Sequence, residues 1–250
     1  MDELMFFDVN CRIGNACNAP GPGVGELLAE MDRFGVDRAL VRHSGIPDGA
    51  LCSNRYLADM LGHDASGRLL GVWCILPDAC DELPKPDEFF RLMKSAGIRA
   101  LTLDPFDHRY VPCRLTLGKI MAAAAERKIP VLLDSFAGKF ADLYRFVEEF
   151  PDNILIYAEN VGKWGSDRNL RPLLEHFPNF YIDTAGYWVP EGIRDLAEKY
   201  GADRILYGSG FPRYNQGCGM LQLKYCGLSE EDVAAIAGNN LKNILDGVRL

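Results

Sequence analysis

The chain has 250 residues, of which 48% are hydrophobic and 25% charged, with a formal net charge of -8. That balance excludes a disordered segment, and it argues against nucleic acid or an anionic membrane as partner, because both call for clustered Lys and Arg. No apolar run approaches the roughly 20 residues that span a bilayer, and Met1-Asp2-Glu3-Leu4 lacks the basic start of a secretory signal, so a cytoplasmic protein is expected.

The first strand is read over Met5–Arg12, followed by a loop containing Gly14, Pro20, Gly21, Pro22 and Gly23. Alternate strand residues share a face, so strict alternation puts Phe6, Asp8, Asn10 and Arg12 on one side and Phe7, Val9 and Cys11 on the other. In a closed barrel the first set is expected to point inward. Leu27, Leu28, Met31 and Phe34 at helical spacing predict a helix over Val24–Phe34, stopped by Gly35. Strands are then expected at 38–43, 69–75, 98–103, 130–133, 154–158, 180–182 and 204–207. Helices are expected between them at 53–61, 86–95, 115–127, 140–150, 170–177 and 190–200. A helical tail over 230–237 and 240–245 closes the chain.

Eight short strands alternating with eight helices imply parallel pairing and crossover connections. In a chain of this length without an internal linker, that rhythm predicts a single (β/α)8 TIM barrel spanning residues 1–250. Active sites of such barrels lie at the C-terminal ends of the strands. Those ends read Asp8, Asn10 and Arg12; His43; Cys74; Asp104 with His108; Asp134; Glu159; Asp183; and Ser209. Short polar residues commonly end strands and cap helices, so each taken alone carries little. As a set, the carboxylates of strands 1, 4, 5, 6 and 7 face one opening. Close carboxylates either share a proton or need a cation; Arg12, Arg42, Arg213 or a divalent metal would supply it. Aromatic residues, including Phe106, Tyr110, Trp164, Tyr187, Trp188, Phe211 and Tyr214, are expected around the rim. Eight cysteines without knuckle or redox spacing read as reduced, small hydrophobic residues.

Several of these segments resemble the amidohydrolase superfamily, in the amidohydrolase-related branch that includes decarboxylases and lactonases. Asp8 in strand 1 is similar to the opening of that family's Asp-x-His-x-His strand. Residues 206–212, Leu-Tyr-Gly-Ser-Gly-Phe-Pro, resemble its strand-8 Gly-Ser-Asp-x-Pro, and residues 177–184 resemble its entry to strand 7. The segments 228–231 and 240–245 resemble its closing helix pair. Against that pattern, Asn10 and Arg12 stand at the two metal-binding histidine positions of strand 1. Asp134 stands at the strand-5 histidine, Glu159 (or Asn160) at the strand-6 histidine, and Gly210 at the strand-8 aspartate.

The resemblance therefore implies a hydrolase or lyase that works without a metal on a small anionic, lactone or sugar-like substrate. Asp134, Glu159 and Asp183 are the expected acid–base groups, assisted by His43 or His108, with Ser209 and Cys74 as weaker nucleophile candidates. Asn10, Arg12, Asp104, Trp164, Trp188 and Arg213 are expected to bind substrate. No metal ligand and no cofactor are assigned: Arg12 disfavours zinc, and magnesium or manganese is the alternative. That alternative is an oxygen-ligand metal hydrolase built on Asp8, Asp104, Asp134, Glu159 and Asp183. A second alternative is an inactive barrel that binds a small ligand or a partner. The resemblance also implies a homodimer; neither nucleic acid nor membrane is expected to bind.

Overall fold

The structure is a computed structural model and describes residues 4–158 and 166–250. Strands β1 (Phe7–Ile13), β2 (Arg38–His43), β3 (Leu69–Ile75), β4 (Ile98–Leu103), β5 (Val131–Leu132), β6 (Leu155–Tyr157), β7 (Phe180–Asp183) and β8 (Ile205–Leu206) form one sheet in sequence order. Every neighbouring pair is parallel. The sheet closes because the segment after β8 meets β1: Val9 N donates to Tyr207 O at 3.0 Å, Gly210 N to Asn10 O at 3.1 Å and Arg12 N to Phe211 O at 2.9 Å. The result is a (β/α)8 TIM barrel.

Helices α1 (Val24–Phe34), α2 (Ala50–Leu61), α3 (Pro86–Ser95), α4 (Arg114–Glu126), α5 (Phe140–Glu149), α6 (Arg171–His176) and α7 (Gly192–Tyr200) follow successive strands; α8 (Gln216–Lys224), α9 (Glu230–Ala234) and α10 (Asn240–Asp246) complete the chain. None is long and apolar enough to cross a membrane. Two apolar layers result. One fills the barrel with Phe7, Val9, Leu40, Val72, Ala100, Leu132, Ile156 and Leu206, and is closed at one end by Leu241, Ile244 and Leu245 of α10. The other lies between strands and helices and includes Leu27, Met31, Phe89, Leu117, Phe146 and Leu196. With the lower barrel sealed, the polar strand ends at the opposite mouth are where chemistry can occur. All eight cysteines are free.

Strict alternation along β1 does not hold. Phe7 and Val9 point into the barrel, whereas Phe6 packs on Tyr207 in the outer layer, ring centroids 5.2 Å apart. The pairing of β1 with β2 shifts between Asp8 and Cys11. A bulge places two residues against one and reverses the phase of the residues after it. Asn10 and Arg12 consequently face inward, as expected, while Asp8 faces α8 and leaves the carboxylate set to which the sequence assigned it.

Asp8 is fully buried and its carboxylate is committed to the frame. Oδ1 accepts from Asn10 N and Ser209 N, each at 3.0 Å, and Oδ2 accepts from Gln216 Nε2 at 3.0 Å. It thereby pins the bulge, the β8 loop and α8 to each other. Helix α8 itself has no counterpart in the hydrophobic periodicity, because Gly217 and Gly219 interrupt its pattern. The glycines have a steric reason: a Cβ at 217 would lie 2.5 Å from the Phe34 ring, and one at 219 would lie 3.0 Å from Tyr207. Helix propensity yields to close packing here.

Asp8→Ala strands three buried donors at about 1–3 kcal/mol each. Denaturant unfolding is expected to show a loss of several kcal/mol, on the order of 3–5. A loss below about 1 kcal/mol would mean that Asp8 does not hold the closure.

Candidate active site

At the C-terminal ends of the strands, inward side chains join into one hydrogen-bonded layer. Arg12 Nη2 donates to Asp134 Oδ2 at 3.1 Å, and Arg42 Nε lies 3.6 Å from the same oxygen. Thr102 Oγ1 donates to Asp134 Oδ1 at 2.9 Å. On the other side Arg42 Nη2 donates to Asn10 Oδ1 at 2.8 Å, and Asn10 Nδ2 donates to Asp183 Oδ2 at 2.7 Å. The chain Asp134–Arg42–Asn10–Asp183 thus links β5, β2, β1 and β7. Each member follows from local sequence: Leu40 then Arg42, and Ala100, Thr102 then Asp104, are alternate residues of their strands, so the inner apolar layer is succeeded by a polar one. Gly208 is required by this layer, since a Cβ there would sit 2.6 Å from Asp183 Oδ2.

Above the layer lies a cavity of about 260 Å³ lined by Arg12, Arg42, His43, Thr102, Asp104, Asp134 and Lys139, with Ile46, Pro47, Phe106 and Asp107 as walls. Lys139 Nζ stands 3.7 Å from the Phe106 ring centroid. Asp104 is 8% exposed. Burial, then the negative charge of Asp107 and more weakly that of Asp134, push its carboxyl above the ordinary aspartate range; the Asp107 N–H and His108 oppose this.

His43 is also buried, which pushes its imidazole below the ordinary histidine value, with Asp48 opposing. Its Nδ1 accepts from Gly45 N at 3.0 Å. The ring proton of neutral His43 therefore sits on Nε2, and His43 presents a donor, not a free base. Gly14 is obligatory beside it: φ is +81° and a Cβ would lie 2.3 Å from Nε2.

The remaining sequence candidates divide clearly. Asn10 and Asp183 belong to the polar layer but do not line the cavity. His108 lies behind the wall, where Nε2 donates to Ile46 O at 2.8 Å and ties the β4 loop to the β2 loop. Ser209 is engaged by the frame, accepting from Phe211 N at 3.0 Å. Burial and the charges of Asp104 and Asp134 push the Cys74 thiol well up, away from thiolate. Trp188 lines a separate depression beside Tyr225 and Ile193, while Arg213 lines a groove that adjoins the cavity at Arg12. Tyr187 is buried and donates to Asp167, outside the rim. Glu159 and Trp164 lie outside the described residues. Thr102 and Lys139 join the site without any mark at the level of sequence; extending the Ala100–Asp104 alternation would have found Thr102, but nothing local marks Lys139.

The described residues of the mouth do not fit a divalent metal. Among the described residues no group of three His, Cys, Asp or Glu stands together as ligands. Asp8 faces the wrong way and Asp134 is taken by two guanidiniums and a hydroxyl.

A barrel with its polar layer and cavity at this end belongs to the architecture of TIM-barrel enzymes. The family model described as Amidohydrolase matches residues 23–242, and the chain belongs to that family. No curated protein matches it in sequence. Among solved structures it is similar to 2,6-dihydroxybenzoate decarboxylase from Rhizobium, with 15% identity over 97% of this chain and 99% of the other, TM-score 0.75. A candidate 2-pyrone-4,6-dicarboxylic acid hydrolase from Pseudomonas putida matches with 16% identity over 98% of both chains, TM-score 0.72. A dihydroxybenzoic acid decarboxylase from Polaromonas sp. JS666, solved with manganese and 2-nitroresorcinol, matches with 14% identity over 97% of both, TM-score 0.72. These likenesses establish the shared fold.

Asp104 gives a pH signature. A carboxyl whose pKa is raised on folding costs stability above its unfolded value, and that cost fades as pH falls towards ~4. Asp104→Asn is therefore expected to raise the melting temperature at pH 7, with the gain shrinking as pH approaches 4. A gain that is independent of pH would contradict the assignment.

Proposed function

We propose that the protein, a single domain over residues 1–250, is a hydrolase or lyase acting without a metal on a small, ring-shaped carboxylic acid or lactone. The observation that carries this reading is the Asp134 carboxylate, held at the cavity floor by Arg12, Arg42 and Thr102 and sharing the cavity with Asp104, whose carboxyl burial pushes above the ordinary aspartate range. Pairs of carboxyl groups in different environments are the usual basis of acid–base division of labour. The substrate class is supported by the cationic lining of Arg12 and Lys139, and by neighbours named for dihydroxybenzoate and a pyrone dicarboxylic acid.

In this reading Arg12 and Lys139 hold the anionic group and the Phe106 ring forms a flat wall. Asp104 is the general acid and Asp134 the general base. For a lactone, Asp134 takes a proton from water as its oxygen attacks the carbonyl, and Asp104 gives a proton to the departing ring oxygen. For a decarboxylation, Asp104 protonates the ring carbon, the bond to the carboxylate breaks, and carbon dioxide leaves. His43 donates from Nε2 to substrate; His108 holds the loops in position. Asn10 and Asp183 orient Arg42 from beneath. Metal chemistry is disfavoured by the donor set, since two guanidiniums occupy the carboxylate a cation would need.

The test combines a turnover screen with chelation. Aromatic carboxylic acids and pyrone lactones are offered to protein purified without added metal, before and after dialysis against chelator. Turnover is expected to survive chelation. Asp134→Asn is expected to lower kcat by about 100-fold or more while calorimetry still detects ligand. Loss of turnover on chelation, restored by manganese or zinc, would overturn the metal-free reading. Ligand binding without turnover in every case would identify a binding barrel instead.

A further inference from the structure

Beside the cavity over Asp134 lies a second, larger hollow of about 430 Å³, and Arg12 lines both. Its walls come from the β1 loop and the β8 loop, with Ala16, Pro20, Pro22 and Phe211 giving an apolar surface. The β1 loop is internally satisfied: Gly14 N donates to Pro22 O at 2.8 Å, Ala16 and Ala19 pair through their backbones, and Gly21 N donates to Asn15 Oδ1 at 3.0 Å. Those groups are therefore spent on the loop's own shape, and the wall offers little backbone polarity to a ligand.

The charges differ between the two hollows. The first sets Asp104, Asp107 and Asp134 against Arg12, Arg42 and Lys139; the second contains Arg12 and Arg213 and no acidic side chain. In a chain of net charge -8, a concave surface carrying two guanidiniums and no carboxylate is a local exception. The Arg213 backbone N donates to Gly210 O at 2.9 Å, but its guanidinium makes no hydrogen bond or ion pair with any described residue and lies 5.8 Å from the centroid of the Tyr214 ring. The two hollows meet where Arg12, paired with Asp134, separates an acid–base compartment from a basic, apolar one. Gly14 packs against His43 on one side, and Gly210, with φ of +75°, turns the β8 loop on the other.

We infer that the second hollow is an anion subsite, and that the substrate is an elongated dianion whose second acidic group is held at Arg213 while its reacting end lies over Asp134. This rests on the proposed function and narrows it from carboxylic acids in general to those carrying two separated anionic groups on an apolar ring. Bidentate pairing suits guanidinium with carboxylate, and a ring between the two groups suits the Ala, Pro and Phe walls.

Calorimetry on the full chain with benzoate, benzene-1,3-dicarboxylate and benzene-1,4-dicarboxylate tests it. At least one diacid is expected to bind about tenfold or more tightly than benzoate. Arg213→Gln is expected to remove that advantage and leave benzoate affinity unchanged; Arg213→Lys is expected to restore part of it. Arg213 is exposed, so neither substitution is expected to disturb folding, which circular dichroism checks. Equal binding of mono- and diacids, or a diacid preference unaffected by Arg213→Gln, would overturn the subsite while leaving the proposed function standing. No binding of any ring acid would overturn both.

Discussion

The structure of the mouth depends on how two arginine charges, one of them fully enclosed, are neutralised. Arg42 is 2% exposed and cannot be left bare, because removing one partner of a buried ion pair costs about 3–5 kcal/mol. Asp134 supplies the opposite charge and Asn10 a neutral acceptor, so Arg42 reaches both from the centre of the layer. Asn10 in turn spends its amide on Asp183. Every strand end that contributes to this layer is thereby fixed relative to the others, and the cavity above inherits a rigid polar floor.

That constraint also sets the environment of each carboxyl group at the mouth. Asp134 is held by two guanidiniums and a hydroxyl, which occupy its oxygens and fix its orientation. Asp104, outside the guanidinium pairing and close to Asp107, meets the opposite environment and retains its proton more readily. The division between the two carboxyl groups arises from their neighbours, since both are aspartates at the ends of adjacent strands. His43 and His108 fall outside this pair for the same reason: the backbone groups of Gly45 and Ile46 have already claimed one nitrogen of each.

Closure at the seam is a second use of buried charge. Asp8 spends its carboxylate on Asn10 N, Ser209 N and Gln216 Nε2, stabilising a bulge and the close approach of α8. The bulge then turns Asn10 and Arg12 inward. The residue that resembles the family's metal-strand aspartate thus acts here on the frame, and through it on the aim of Arg12.

Periodicity alone specified the architecture. The spans of α1, α3, β2, β3 and β4 coincide with those read from hydrophobic spacing and their Gly or Pro boundaries, because these signals are local. The short strands β5 and β8 lose a residue at each end, where ladder pairing stops sooner than apolar character does. Position at a strand end likewise marked Arg12, Asp104 and Asp134. Only the tertiary structure decided which polar residues share a space. The β1 bulge turned Asn10 and Arg12 to the opposite side from Asp8, α8 formed despite two glycines, and Lys139 entered the cavity from a loop without pattern. Each of these depends on contacts between segments distant in sequence, such as Asp8 with Gln216 or Gly217 with Phe34, and no local spacing encodes them.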